Sequence, residues 1–150
     1  MEPLFRQIEA AATAGEPARA RELFHTLSTR LIACMRAEHS IVYPKFAFAA
    51  NLGDEVREAS REHDRIERAI NQIRIAPLSD EDWLTAVRQL ERSVAEHAQS
   101  EEWVLFPIAS LALSHEELRG LGEEFQRYQA IAASVAGASI TYDIVVALAA

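Results

Sequence analysis

Apolar residues recur along the chain at alternating spacings of four and three. From Trp83 the series runs through Val87, Leu90, Val94, His97, Glu101, Val104 and Ile108, the inward stripe of one long amphipathic helix. Two of its places are held by an imidazole and a carboxylate, groups that cost free energy to bury unless something pairs with them. The same spacing carries Leu27, Leu31, Cys34, Glu38 and Val42 on a helix expected over residues 17–49. It carries Val56, Ala59, His63, Ile66, Ile70 and Ile73 on a third. Leu4, Ile8 and Ala11 mark a short first helix over 3–13, opened by Pro3 in a favourable place.

The breaks have their own chemistry. Gly15 suits a helix C-terminal cap and Pro17 the first turn of the next helix. Asp54 is placed to cap the third helix, and Ser79 with Asp82 makes a capping-box-like start for the fourth, which reaches residue 112. Ser114 and Glu117 announce a last helix that ends near Ala136, before Gly137. Pro44 and Pro107 fall inside the second and fourth helices, where a missing N–H predicts a kink or the end of the regular part. These elements predict an all-α fold: an antiparallel up-down four-helix bundle over 3–112, with an additional C-terminal helix and tail over 114–150, all within one domain spanning 1–150.

Residues 34–46 and 97–109 share the inward Glu, an apolar and aromatic pair and the Pro, at a constant offset of 63. Two copies do not make a solenoid. They read as one structural device used on two helices.

In such a bundle Glu38, His63, Glu67, His97 and Glu101 converge at about one level. No Lys or Arg occupies an inward place on the second, third or fourth helix. Carboxylates there must take up protons or ligate a metal. A lone His-x-x-x-Glu is more often an ordinary core feature than a ligand pair. Two such pairs, each interrupting an apolar seam, point to metal, with iron or manganese first and zinc second for a donor set of imidazoles and carboxylates. Trp83, Trp103, Phe106 and Tyr43 read as core residues, although Tyr43 could also stand as a redox-active neighbour of a metal. His25 and His115 read as ordinary exposed or capping residues.

The net charge of −8 opposes binding to a phosphate backbone or an anionic membrane surface, so no nucleic-acid partner is expected. Cys34, the single cysteine, cannot form an intramolecular disulfide, and no signal-peptide pattern opens the chain. A cytoplasmic location is the expectation. No apolar run approaches the roughly 20 residues of a membrane span. The apolar tail 140–150 contains Asp143 and is expected to dock on the domain, on a second copy in a homodimer, or on a regulatory protein partner.

The stretches H-A-Q-S-E-E-W-V-L-F-P from His97 and E-H-D-R-I-E from Glu62 resemble the hemerythrin-like, or HHE cation-binding, domain, over residues 20–110. The resemblance implies a four-helix bundle holding non-haem iron, usually two ions with bridging carboxylates, and an open position for dioxygen or a related small ligand. It implies that His63, Glu67 and His97 hold one iron, and that Glu101 and Glu38 bridge to the second. The family's second iron also takes a His from the first helix and one four residues before the second-helix carboxylate. Here the first helix has no His, the other place is Cys34, and His39 follows Glu38 by one residue, about 100° away. The expectation is a lopsided site on the third and fourth helices. Its second position would be weak, empty or held through the Cys34 thiolate, with His39 a lesser candidate.

The function expected is that of a non-haem iron protein sensing oxygen, nitric oxide or redox state. The alternative is a metal-free bundle acting as an interaction or regulatory module. An enzyme ranks lowest, because no Glu-x-x-His ligand motif lies on the inward seams and neither a nucleophile–base pair nor a phosphate-binding glycine loop is present.

Overall fold

A computed structural model describes residues 1–136, with side chains through 131, and each helix expected from the seams is present. The tail over 140–150, and with it the expected docking segment, lies outside the described residues. Helix α1 (Glu2–Thr13) ends in a Schellman motif. Gly15 takes φ 76°, and the N–H groups of Glu16 and Gly15 donate to the carbonyls of Ala11 (2.9 Å) and Ala12 (3.1 Å). Helix α2 (Pro17–Ala37) follows, then a π-helical turn over Glu38–Val42, α3 (Tyr43–Ala49), α4 (Gly53–Ile75) and α5 (Asp80–Ser100). A second π-helical turn over Glu101–Leu105 leads into α6 (Phe106–Ala112) and then α7 (His115–Ala136).

Both serine caps form. The Ser79 hydroxyl accepts from the Asp82 N–H at 3.2 Å, and Ser114 and Glu117 exchange bonds of 3.0 and 3.3 Å across the first turn of α7. Asp54 does not cap α4. The helix begins two residues earlier than an Asp54 cap would start it, with buried Leu52 at the N-cap position, and Asp54 sits in the first turn paired with Arg57. Burial of Leu52 fixes where the helix starts, and the capping role is left without a side chain.

The offset repeat is a backbone device. In each copy an N–H reaches back five residues, from Tyr43 to the Glu38 carbonyl and from Phe106 to the Glu101 carbonyl, and Pro44 or Pro107 follows at once. A proline in an unbroken α-helix removes one bond and drives its ring against the carbonyl four residues earlier. The wider turn makes room for it. It also inserts one residue into the phase of the helix. The fourth seam was expected to continue through Val104 and Ile108, but these are 44% and 39% exposed, and Leu105, Phe106 and Ala109 take the inward places. Trp103, expected in the core, is 71% exposed on the outer face.

Two apolar cores stack along the bundle. In the first, Phe5 and Ile8 of α1 meet Phe24 and Leu27 of α2, Ile66 and Ile70 of α4, and Trp83 and Leu90 of α5; Phe24 meets Trp83 edge to face at 5.6 Å. In the second, Leu118, Leu121 and Phe125 of α7 join Val42, Phe46, Ala59, Leu105 and Phe106. The additional C-terminal helix therefore does more than flank the bundle. It fills in one half the position that the short α1 fills in the other. Each large apolar side chain buried in this way stabilises the fold by about 1.5–3 kcal/mol. Among the described residues no helix is long and apolar enough to cross a membrane.

Candidate metal centre

The boundary between the two cores is polar. Glu38 opens the π-helical turn that follows α2, His63 lies on α4 between Ala59 of one core and Ile66 of the other, and His97 near the end of α5 and Glu101 at the start of the second π-helical turn bridge the same level. All four are buried, none more than 8% exposed. Each offers one ligand atom such that these atoms lie within 4.8 Å of one another. The Nε2 atoms of His63 and His97 face each other at 2.8 Å. One oxygen of Glu38 stands 3.2 Å from His63 Nε2, and one of Glu101 stands 3.6 Å from His97 Nε2.

The second oxygen of each carboxylate is bound from the protein. Glu38 Oε1 accepts from the Cys34 thiol at 3.2 Å, and Glu101 Oε1 accepts from the Tyr43 hydroxyl at 2.7 Å. The Tyr43 hydroxyl is also 3.1 Å from His63 Nε2, and its ring stacks on that imidazole with a centroid separation of 5.3 Å. On the outer side, His97 Nδ1 lies 2.8 Å from Glu62 Oε2. A carboxylate on the far nitrogen of a histidine fixes its tautomer and turns the other nitrogen toward a metal.

The electrostatics follow from burial. Desolvation, then the nearby Glu38 charge, holds Glu101 well above the usual carboxylate range. Desolvation outweighs the Glu62 hydrogen bond and holds His97 below the usual imidazole range, so the ring is neutral and presents a lone pair. Burial, then the Glu38 charge, pushes the Cys34 thiol well up, with the Gln129 amide acting the other way. Two imidazoles and two carboxyl groups, converging at one buried point, fit a borderline or hard cation. Such an ion would favour the charged form of Glu101, which burial disfavours.

Of the residues singled out in the sequence, Glu38, His63, His97 and Glu101 come together. Glu67 does not join them; it is half-buried one turn further along α4. Cys34 touches the cluster through Glu38. His39 is exposed and points its ring at Tyr43, 6.3 Å between centroids. His25 and His115 are exposed. Two participants were not assigned from sequence. Tyr43 was read chiefly as core, and only its place five residues after Glu38 marks it. Glu62 immediately precedes His63, about 100° round α4, but spacing alone does not show that the His97 ring turns its Nδ1 there.

The sequence family described as the hemerythrin HHE cation binding domain matches residues 1–109. The chain belongs to that family. The four buried donors thus form a candidate ligand set in a hemerythrin HHE domain, and the family and the geometry together support metal binding. A Nostoc sp. protein named DNA nickase is 28% identical over 123 residues, covering 82% of this chain and 34% of that protein. The chain thus spans about a third of the length of this relative. No solved structure matches it.

Proposed function

We propose that this hemerythrin HHE domain holds a single non-haem iron ion through Glu38, His63, His97 and Glu101, and responds through it to oxygen, nitric oxide or redox state. The observation that carries this reading is the convergence of four buried donor atoms within 4.8 Å. The hydrogen bonds around them favour one ion over two. With Glu38 Oε1 taken by Cys34 and Glu101 Oε1 by Tyr43, each carboxylate has one oxygen left to give, which suits monodentate ligation better than a bridge. Four donors leave positions open on an octahedral ion, and iron bound there would supply reversible one-electron chemistry and a place for a diatomic ligand. Manganese and zinc fit the donors less specifically.

The test is an optical spectrum of protein purified and iron-loaded without oxygen. A ligand-to-iron charge-transfer absorption that changes with oxygen, nitric oxide or reductant is the expected result. A bound iron whose spectrum ignores all three would contradict the sensing role. The nicking activity in the name of the Nostoc protein is not carried over, because the shared region is a third of that protein and the net charge of −8 opposes a phosphate backbone.

A second reading, a metal-free bundle serving as an interaction module, is favoured by the same two hydrogen bonds, which pair both carboxylates without an ion. A chain that stays folded and colourless after iron loading, with a melting temperature unchanged in His97→Ala, would select it.

A further inference from the structure

The four ligands are buried, yet one side of the cluster is within reach of solvent. Between α4 and α5 lies a cleft of about 310 Å³ whose lining includes Glu58, Glu62, Arg65, Ser93, Glu96 and His97. Ser93 and Glu96 are exposed at its mouth. Glu62 stands between mouth and cluster, its side chain 27% exposed, with Oε2 on His97 Nδ1. Arg65, the one cation among these residues, is engaged by one Glu58 oxygen at 2.6 Å, and Arg61 holds the other at 3.0 Å. A second cleft between the same two helices, about 430 Å³ and lined by residues such as Ala69, Gln72, Ile73 and Leu90, reaches none of the four ligands and carries no carboxylate.

We infer that the acidic cleft is the passage by which a divalent cation reaches the cluster, and that Glu62 is the positioning residue at its inner end; this rests on the metal-binding reading above. A hydrated cation must exchange water for protein oxygen before it can enter a buried site. With Glu58 held by two guanidiniums, Glu96 at the mouth and Glu62 further in are the carboxylates left to attract a cation and to offer it oxygens in order. At the inner end, Glu62 accepts a hydrogen bond from the His97 Nδ1–H and so holds Nε2 toward the other three candidate ligands. Its partial exposure lets the carboxylate meet an arriving ion while the ring stays oriented behind it.

The passage and the positioning role separate in one experiment. The metal-free full chain is mixed with cobalt(II), and uptake is followed by stopped-flow absorbance. Release is driven by a chelator, and affinity is taken from chelator competition. Ser93→Trp, which places a large ring in the mouth, is expected to slow uptake and release by the same factor and leave Kd unchanged. Glu96→Gln is expected to slow uptake up to about tenfold at low salt and less at high salt. Glu62→Gln is expected to weaken Kd by about 10–100-fold. Wild-type uptake rates in both Ser93→Trp and Glu96→Gln would overturn the passage, and a wild-type Kd in Glu62→Gln would overturn the positioning role. A wild-type chain that takes up no cobalt would overturn the metal-binding reading itself.

Discussion

The two π-turn helices share one backbone and differ in what surrounds it. In the copy at Glu38, the residue four earlier is Cys34 and the residue five later is Tyr43; in the copy at Glu101, these are His97 and Phe106. The swap is complementary. Tyr43 crosses to donate a hydrogen bond to Glu101, which Phe106 could not do for Glu38, and the Cys34 thiol donates to Glu38 instead. Each carboxylate ends with one protein donor and one oxygen facing an imidazole. Breaking the repeat at the histidine therefore removes a candidate ligand but leaves both carboxyl groups with a protein donor. The outer faces differ too. Lys45 in the first copy pairs with Glu117 of α7 at 3.1 Å, whereas Ile108, its counterpart, is 39% exposed beside exposed Val104 and Leu111.

The largest effect expected from this comparison tests the shared backbone. Leu105→Ala should cost about 2–5 kcal/mol by leaving a cavity in the second core, whereas Val104→Ala should stay within about 0.5 kcal/mol. Denaturant midpoints would decide, and equal losses would mean that the one-residue phase shift is wrong. Next comes the broken place in the repeat. His97→Ala should weaken metal binding more than about 100-fold, because even an outer partner of a ligating histidine is worth 10–100-fold, while Cys34→Ala should leave affinity within a few-fold. A larger loss in the cysteine variant would make the thiol a ligand.

Tyr43→Phe turns the first copy into the second at that position. It leaves a buried Glu101 oxygen without its donor and should cost the metal-free protein about 1–3 kcal/mol; the reverse change, Phe106→Tyr, should bring no gain in stability. The smallest effect concerns pH. The folded-state pKa of Glu101 is raised above its unfolded value. Its contribution is therefore fully present below the ordinary carboxylate pKa and is lost as pH rises through the folded value. Glu101→Gln should remove that loss, so the metal-free variant gains on the wild type as pH rises toward neutrality. His97, shifted the other way, works against stability on the acid side as pH falls below the usual imidazole pKa. An unchanged pH profile in Glu101→Gln would mean that the carboxyl group is not buried with its proton.

The helices, their serine caps and the convergence of four donor side chains were legible because each follows from local spacing. The phase shift at Glu101 was not, since Val104 and Ile108 are apolar and continue the seam as well as Leu105 and Ala109 do. Only Pro107 hinted at it, and a proline says that a helix must yield without saying how. Glu67 was taken with the ligands because it shares a helix face with His63. The height of the cluster is set by the two glutamates that open the π-turns, however, and Glu67 lies about 6 Å along the axis from that level, on the side of the first core. Tyr43 and Glu62 act across helices, through ring orientation and hydrogen bonds that a one-dimensional pattern does not contain. The role of α7 was equally hidden, because its amphipathic face does not say which half of the bundle it completes.

The complementary donors on Glu38 and Glu101 underlie the proposed single-ion centre. Anaerobic titration of the metal-free chain with iron(II), read as tightly bound iron per chain, tests this most directly. The structure predicts a break at one equivalent that disappears in His97→Ala. A break at two equivalents, or no tight binding at all, would contradict it.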